Sequence, residues 1–408
     1  MTKTKQIRDI VYGFIELDEQ EQKIIDSPEF QRLRRIKQLA LTDMVYLGAV
    51  HTRFEHSLGV MQMASDMFES IVSKTAFEEI KKEYKLKDAD ITRCRKIVRL
   101  AALLHDVGHS PFSHASEDLM PISSDNKKYE HEHYSIEIIR AKFRETIESE
   151  GYNPIKVEEV TALLGDSKSS HDHPALMVWK ELISGAIDAD RADYLLRDSL
   201  HLGVNYGLYD RARLVSCLTI GRTESGAPTI AIEGRGWHVA ESLIIARYQM
   251  STQVYFHKVR RIYDHHIFEV CKHILKAEEQ ESFPPPNRID EYLKYDDWYV
   301  IAKITLGEAG EHGKRILERN HFKCKPGESE GEKLFDIDKL QQIMFAETEE
   351  SIHENIHTDT CHVNWYKEKY DLLIYEKNRL IPLSQKSKII KSMMENPYRI
   401  QRNYLKNQ

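Results

Sequence analysis

A histidine followed directly by an aspartate, His105-Asp106, closes an apolar run that ends in Leu103 and Leu104. An imidazole and a carboxylate side by side are two ligands of the kind that hold a divalent cation. Neighbours on a helix project about 100° apart, so the pair can close only one side of a metal. Other segments have to supply the rest. His56 offers a second imidazole, and Asp190, in IDADRADY at 187–194, a second carboxylate. Two imidazoles and two carboxylates suit Mn²⁺, Fe²⁺, Co²⁺, Ni²⁺ or Zn²⁺, and can hold Mg²⁺ with retained waters. Positions left open to water on such an ion generate a nucleophile or polarise a phosphoryl oxygen. A lone His-Asp pair is common by chance, so its company has to decide. Of the 20 histidines, His51, His56, His105, His109, His114, His131 and His133 all fall between positions 51 and 133.

Four separated segments carry a resemblance. HTRFEHSLG at 51–59, ALLHDVGHSPFSH at 102–114, His131-Glu132 and DADRADYLLRD at 188–198 recur in this order in HD-domain phosphohydrolases. The likeness runs over residues 5–275 and resembles in particular the deoxynucleoside triphosphate triphosphohydrolases, bacterial dGTPases and the vertebrate sterile-alpha-motif/HD-domain enzyme among them. The resemblance implies a metal held by His56, His105, Asp106 and Asp190. It implies hydrolysis of a dNTP to deoxynucleoside and inorganic triphosphate, in a homo-oligomer (dimer or tetramer) open to a nucleotide activator.

The same resemblance places Arg53, Arg191 and Arg247 on phosphate oxygens, a task for which a guanidinium fork is suited. The family has Lys at the Arg191 position, so that match is in charge. His109 and His131 fall on acid–base duty and His114 on the same substrate wall. Glu117 stands where the family has Asp as the orienter of its catalytic histidine, here expected to be His109. Tyr194 and Asp198 match the pair that packs against the deoxyribose and binds its 3′-hydroxyl. Tyr255 falls at a phosphate and sugar contact, and Gln38 and Leu39 where base and sugar approach. Phe256 replaces a polar residue that normally follows the tyrosine. Two rival readings stand beside this one. The same metal set serves HD-type phosphodiesterases, nucleases and nucleotidases, and an inert nucleotide-binding regulator would show itself by loss of a ligand.

Helices have to position these side chains. Ser27 is a candidate N-cap for a helix through Pro28, Phe30, Leu33, Ile36 and Leu39, with Arg32, Arg34, Arg35 and Lys37 on a solvated face. Apolar spacing predicts a helix over 55–73, with His56 near its start, and another over 91–108, with His105-Asp106 near its end and Gly108 as terminator. Helix is expected again over 131–147, 155–165, 175–200 and from Val239 to Leu275, with DSKSSHDHP (166–174) a polar loop. Residues 213–233 predict a small β-hairpin, with Leu214–Ile220 and Pro228–Ile232 as strands. Lys258, Arg260 and Arg261 read as a solvated face, and His171, His173, His265 and His266 as surface or structural residues.

The break at Phe283-Pro-Pro-Pro-Asn287 divides the expected HD core (1–283) from a mixed α/β region (284–408). In that region GESEGE (327–332) is an acidic loop, and KLQQIM (339–344), YDLLIY (370–375) and RLIPL (379–383) mix helix and strand signals. An interface or regulatory role is expected for it, and the fold class is mainly α. With 41 % hydrophobic and 30 % charged residues the composition is that of a globular protein. No apolar run approaches the roughly 20 residues of a membrane span, and the N-terminus lacks a signal-peptide pattern. A cytoplasmic protein without a membrane partner is expected. The net charge of −7 disfavours nucleic acid as a partner. Five cysteines without CxxC spacing predict reduced thiols.

Overall fold

Two antiparallel strands, β1 (Lys5–Asp9) and β2 (Gly13–Leu17), come first in the computed structural model, which describes residues 5–149, 154–166, 174–324, 356–363, 371–396 and 398–406. Asp18 caps α1 (Glu19–Ile25) and Ser27 caps α2 (Pro28–Gln31), each accepting an amide that a helix start leaves unpaired. The chain then tightens into a 3-10 turn at Arg32–Arg35, and Ile36 is extended. The helix expected to reach Leu39 therefore ends early. Gln38 N donates to His51 O and Arg53 N to Ile36 O, both at 3.0 Å, so residues 36–38 pair with 51–53. This pairing sets Gln38 and Leu39 beside the start of α3 (Arg53–Val72).

The amide of Thr52 is held by Glu55 Oε1 at 3.2 Å, which starts α3 two residues before the predicted position. α4 (Thr75–Glu83) leads to α5 (Asp88–Leu104), which packs along α3. Every residue of α5 from Ile97 to Leu104 is buried, so His105 and Asp106 leave the helix end inside the packed layer. α6 (His131–Ile138) passes through a π-turn at 139–143 into α7 (Arg144–Glu148), followed by α8 (Val157–Leu163). The stretch expected as one helix over 175–200 is broken. α9 (Glu181–Ser184) ends at Gly185, and α10 (Ala189–Leu202) restarts under the cap of Asp188.

α11 (Arg211–Ser216) occupies residues expected to begin a strand, so the hairpin is β3 (Leu218–Arg222) and β4 (Pro228–Glu233). α12 (Trp237–Met250) runs into a π-turn at 251–255, then α13 (Lys258–Ala277), α14 (Ile289–Tyr292), α15 (Asp297–Thr305) and α16 (Gly310–Leu317). The remaining strands are β5 (Lys323–Cys324), β6 (Ile356–Val363), β7 (Leu373–Glu376), β8 (Arg379–Pro382) and β9 (Tyr398–Leu405). One sheet has the order β3-β4-β7-β8, with β7 parallel to β4, and another the order β5-β9-β6. A continuous apolar core takes in Ile15, Leu104, Ile232, Ile374 and Ile390. The fold is mainly α, with its small sheets as described. Among the described residues no helix is long and apolar enough to cross a membrane. The acidic loop at 327–332, residues 339–344, His171 and His173 lie outside the described residues.

Candidate metal centre and active site

Three helix termini bring the predicted ligands together. His56 lies in the first turns of α3, His105 caps the end of α5 with Asp106 next to it, and Asp190 lies in the first turn of α10. Ligand atoms of His56, His105 and Asp106 fall within 4.8 Å of one another, a grouping able to hold a metal ion. Asp190 Oδ1 is 3.0 Å from His56 Nε2 and 3.8 Å from His105 Nε2. His105 Nε2 is 3.2 Å from Asp106 Oδ1. Neither buried Nε2 has a hydrogen bond of acceptable geometry among the described residues. Buried polar atoms in that state are costly, and a divalent ion with nitrogen and oxygen ligands fits the donors present.

The opposite ring nitrogens are held. His56 Nδ1 donates to Asp193 Oδ2 and His105 Nδ1 to Ala102 O, both at 2.8 Å, which leaves each Nε2 as the nitrogen that can ligate once its proton is displaced. Burial works against charge on His56, but Asp190 and Asp193 outweigh it and raise its pKa to about 10. Burial likewise opposes the Asp106 carboxylate, and Arg53, His105 and His109 overcome it and hold the group well below the usual range. Asp106 and Asp190 thus favour positive charge between them, whether from a proton on His56 or from a cation.

His109 Nε2 lies 3.3 Å from Asp106 Oδ1, and its ring stacks on His131 with centroids 3.8 Å apart. Glu117 was expected to orient His109. Instead its Oε1 accepts from His131 Nδ1 at 2.6 Å and its Oε2 from His114 Nδ1 at 2.7 Å. His109 is buried beneath them, and its Nδ1 has no hydrogen-bond partner among the described residues. Burial, Arg53 and His131 together push His109 well below the ordinary imidazole range, so it is neutral. For His131 burial is overcome by Glu117, which raises the pKa. The two stacked imidazoles are thus shifted in opposite directions, the pattern that sets an acid beside a base in one site. Gly108 makes the approach of α6 possible. A Cβ there would sit 2.3 Å from Ser135 N and 2.4 Å from His131 O, both backbone atoms.

The arginines expected at phosphate have protein partners here. Arg53 is buried, pairs with Asp106 and donates from Nε to Ser113 Oγ at 2.7 Å. Arg191 Nη1 donates to Gly185 O at 2.6 Å and Asp188 Oδ2 at 2.7 Å. The charge of Arg247 acts on Asp188 and Tyr194, which puts it beside α10. Asp198 was expected to face a sugar hydroxyl, yet it is 1 % exposed. Its two oxygens accept from His51 Nε2 and Tyr255 Oη, each at 2.7 Å, so in this structure it anchors those side chains. Tyr194 and Tyr255 meet edge to face at 6.2 Å. Gln38 and Leu39 are both buried.

Some residues of the site escaped the sequence. Asp193 orients His56, and the signal for it was its place in the aspartate-rich run three residues after Asp190. Arg32, expected on a solvated face, is 1 % exposed and donates to His109 O at 2.9 Å and Tyr295 O at 2.6 Å. No local pattern announced that burial.

Residues 53–198 match the model of the HD domain, and residues 209–402 that of the HD associated region. An uncharacterized protein of Methanocaldococcus jannaschii is 34 % identical over 346 residues, 85 % of this chain and 64 % of that protein. The human deoxynucleoside triphosphate triphosphohydrolase SAMHD1 is 29 % identical over 361 residues, 78 % of this chain and 54 % of that enzyme. The chain thus spans between 54 % and 64 % of these two curated relatives. A crystal structure of a hypothetical protein from Aquifex aeolicus superposes with a TM-score of 0.78 at 30 % identity, covering 100 % of this chain and 97 % of that one. A phosphohydrolase from Bacteroides thetaiotaomicron shares the fold with a TM-score of 0.74 at 24 % identity, covering 99 % of each chain.

Proposed function

The chain belongs to the HD-domain family, and from that premise we propose that it is a metal-dependent phosphohydrolase whose substrates are deoxynucleoside triphosphates, cleaved to deoxynucleoside and inorganic triphosphate. HD domains bind divalent metal, and the His/Asp cluster has the ligands for one ion. The observation that carries the proposal is the convergence of His56, His105, Asp106 and Asp190 beside two stacked imidazoles whose pKa values are shifted in opposite directions. When bound, a divalent ion supplies Lewis acidity toward a phosphoryl oxygen. Arg53, Arg191 and Arg247 offset the charge of the phosphate chain, exchanging protein carboxylates for phosphate oxygens. His131, its proton stabilised by Glu117, gives that proton to the departing nucleoside oxygen, and neutral His109 accepts one from the attacking water. His114, held by the same carboxylate, lines the substrate wall.

Similarity to the triphosphohydrolase SAMHD1 and its Dictyostelium homologue supports the choice of substrate. The wall of Tyr194 and Tyr255, with Gln38 and Leu39 set beside the start of α3, supplies aromatic and polar groups for a sugar and base. In this reading residues 1–283 carry the chemistry and residues 284–408 buttress it, in a cytoplasmic homo-oligomer that a second nucleotide can activate.

A panel of dNTPs, NTPs and single-stranded DNA, run singly and as nucleotide mixtures with Mg²⁺ and with Mn²⁺, tests the proposal by its products. Inorganic triphosphate from dNTPs is the expected result. Mononucleotides or oligonucleotides would assign the site to a phosphodiesterase or nuclease. Asp106→Ala should lose both turnover and metal content while keeping its helical circular-dichroism spectrum, and retained turnover would sink the metal mechanism. One ion per chain is expected in the wild type. Two would give His109, His114 and His131, whose ligand atoms also lie within 4.8 Å of one another, a metal of their own.

A further inference from the structure

The two imidazoles of the metal set are oriented by different means. His105 is fixed by its own helix, through the Nδ1 bond to Ala102 O three residues back. His56 is fixed from outside. Its Nδ1 partner Asp193 is fully buried and gives both oxygens to Arg197, Oδ2 to Nε at 2.9 Å and Oδ1 to Nη2 at 3.0 Å. Arg197 is also fully buried, and its Nη1 reaches Asp9 Oδ2 at 2.9 Å. Asp9 ends β1, and its other oxygen accepts the amides of Val11 and Tyr12 at 2.8 and 3.0 Å, which shapes the turn between β1 and β2. An unbroken line of charged hydrogen bonds therefore joins the N-terminal hairpin to a metal ligand.

We propose that Asp193, Arg197 and Asp9 form a positioning relay that holds His56 in its Nδ1–H tautomer, so that metal affinity depends on the N-terminal hairpin. The inference rests on the metal-binding reading above. An imidazole can ligate through either nitrogen, and a donor bond at one selects the other for the metal. Asp193 makes that selection. Alone it would be a buried anion, and Arg197 neutralises it. Arg197 in turn presents a third N–H direction that, among the described residues, only Asp9 fills at hydrogen-bond length, with Glu55 Oε2 at 3.6 Å. Buried ion pairs of this kind add little net stability over apolar packing. Their use here is geometric.

Gly59 is independent support. It faces the pair from α3, and a Cβ there would lie 2.1 Å from Asp193 Oδ1 and 2.2 Å from Arg197 Nη2. The helix that carries His56 thus keeps a glycine three residues on, where the relay lies against it. An alanine would push the relay away with no change of charge.

The test uses the full chain, with Mn²⁺ affinity measured by chelator competition and the His56 tautomer by side-chain ¹⁵N NMR of the chain loaded with diamagnetic Zn²⁺. Asp193→Asn keeps an acceptor for His56 but turns an amide NH₂ against Arg197, and should weaken Mn²⁺ about ten- to a hundredfold. Asp9→Asn, at the edge of the core, and Gly59→Ala should weaken Mn²⁺ by smaller factors and move the His56 ¹⁵N shifts away from the Nδ1–H pattern. These two keep the test decisive if Asp193→Asn does not fold. Unchanged affinity and unchanged shifts in Asp9→Asn and Gly59→Ala would overturn the relay while leaving the metal site standing. A wild-type chain that binds no Mn²⁺ would overturn both.

Discussion

Both carboxylate oxygens of Glu117 accept from imidazoles, His131 at 2.6 Å and His114 at 2.7 Å. A glutamate at this position, one methylene longer than the aspartate that the resemblance led one to expect, reaches two rings. His109 is left to burial and to the charge of Arg53, which keep it neutral. The consequence is a pH dependence with a definite sign. Glu117 raises the His131 pKa against the pull of burial, so its removal must lower it. In Glu117→Gln less of His131 is protonated at neutral pH, and the alkaline limb of the rate profile should move to lower pH. Turnover should fall about 10²- to 10⁴-fold at neutral pH, the usual worth of a positioned acid. A profile measured from pH 5 to 9 decides, and an unmoved alkaline limb would return Glu117 to a structural role.

Between helices, α13 is held by contacts that its sequence reads only as charge and histidine. Arg261, taken as part of a solvated face, binds Asp359 of β6 through two nitrogens, Nε at 3.1 Å and Nη2 at 2.6 Å. Arg260 donates to Tyr255 O, and thereby braces the π-turn that carries a site tyrosine. His265 stacks on His357 of β6 at 3.7 Å, and His266 Nδ1 shares a hydrogen bond of 2.8 Å with His312 Nδ1 of α16. Burial, then His312 and His265, push the His266 pKa down to about 2. Its unfolded value is about 6.5. Between those values the unfolded chain takes up a proton that the folded chain refuses. This contribution to stability is present above pH 6.5 and is lost as pH falls, at up to about 1.4 kcal/mol per pH unit. His266→Leu should flatten the fall of unfolding free energy between pH 7 and 5, measured in urea. An equal slope in the variant would show that His266 is not the group that titrates.

At the scale of the molecule, the C-terminal region is woven into the core it follows. β7 pairs in parallel with β4, and Leu372, Ile374, Leu383 and Ile390 are buried at 3 %, 0 %, 0 % and 0 % exposure in the same apolar core as Leu104. Each such side chain is worth about 1.5–3 kcal/mol on burial. Together they rival the roughly 5–15 kcal/mol net stability of a whole domain. A chain ending at residue 370 should therefore lose cooperative thermal unfolding. A truncated protein that melts sharply at the wild-type temperature would show this region to be an appendage.

Local features of the sequence determined the helical class, the candidate ligands and the order of the motifs. His105-Asp106 stands at the end of an apolar period and His56 at the start of one, and such positions depend only on near neighbours along the chain. The choice of partners among charged groups was decided by the tertiary structure alone. Glu117 could reach more than one histidine, Arg32 lay among basic residues that looked solvated, and Asp198 looked free for a ligand. Which atoms meet across helices depends on crossing geometry and on glycines such as Gly59 and Gly108, which admit a neighbour at distances that a Cβ forbids. The joining of β7 to β4 is likewise a pairing across more than a hundred residues, invisible to any periodicity because alternation tells a strand its face and not its partner.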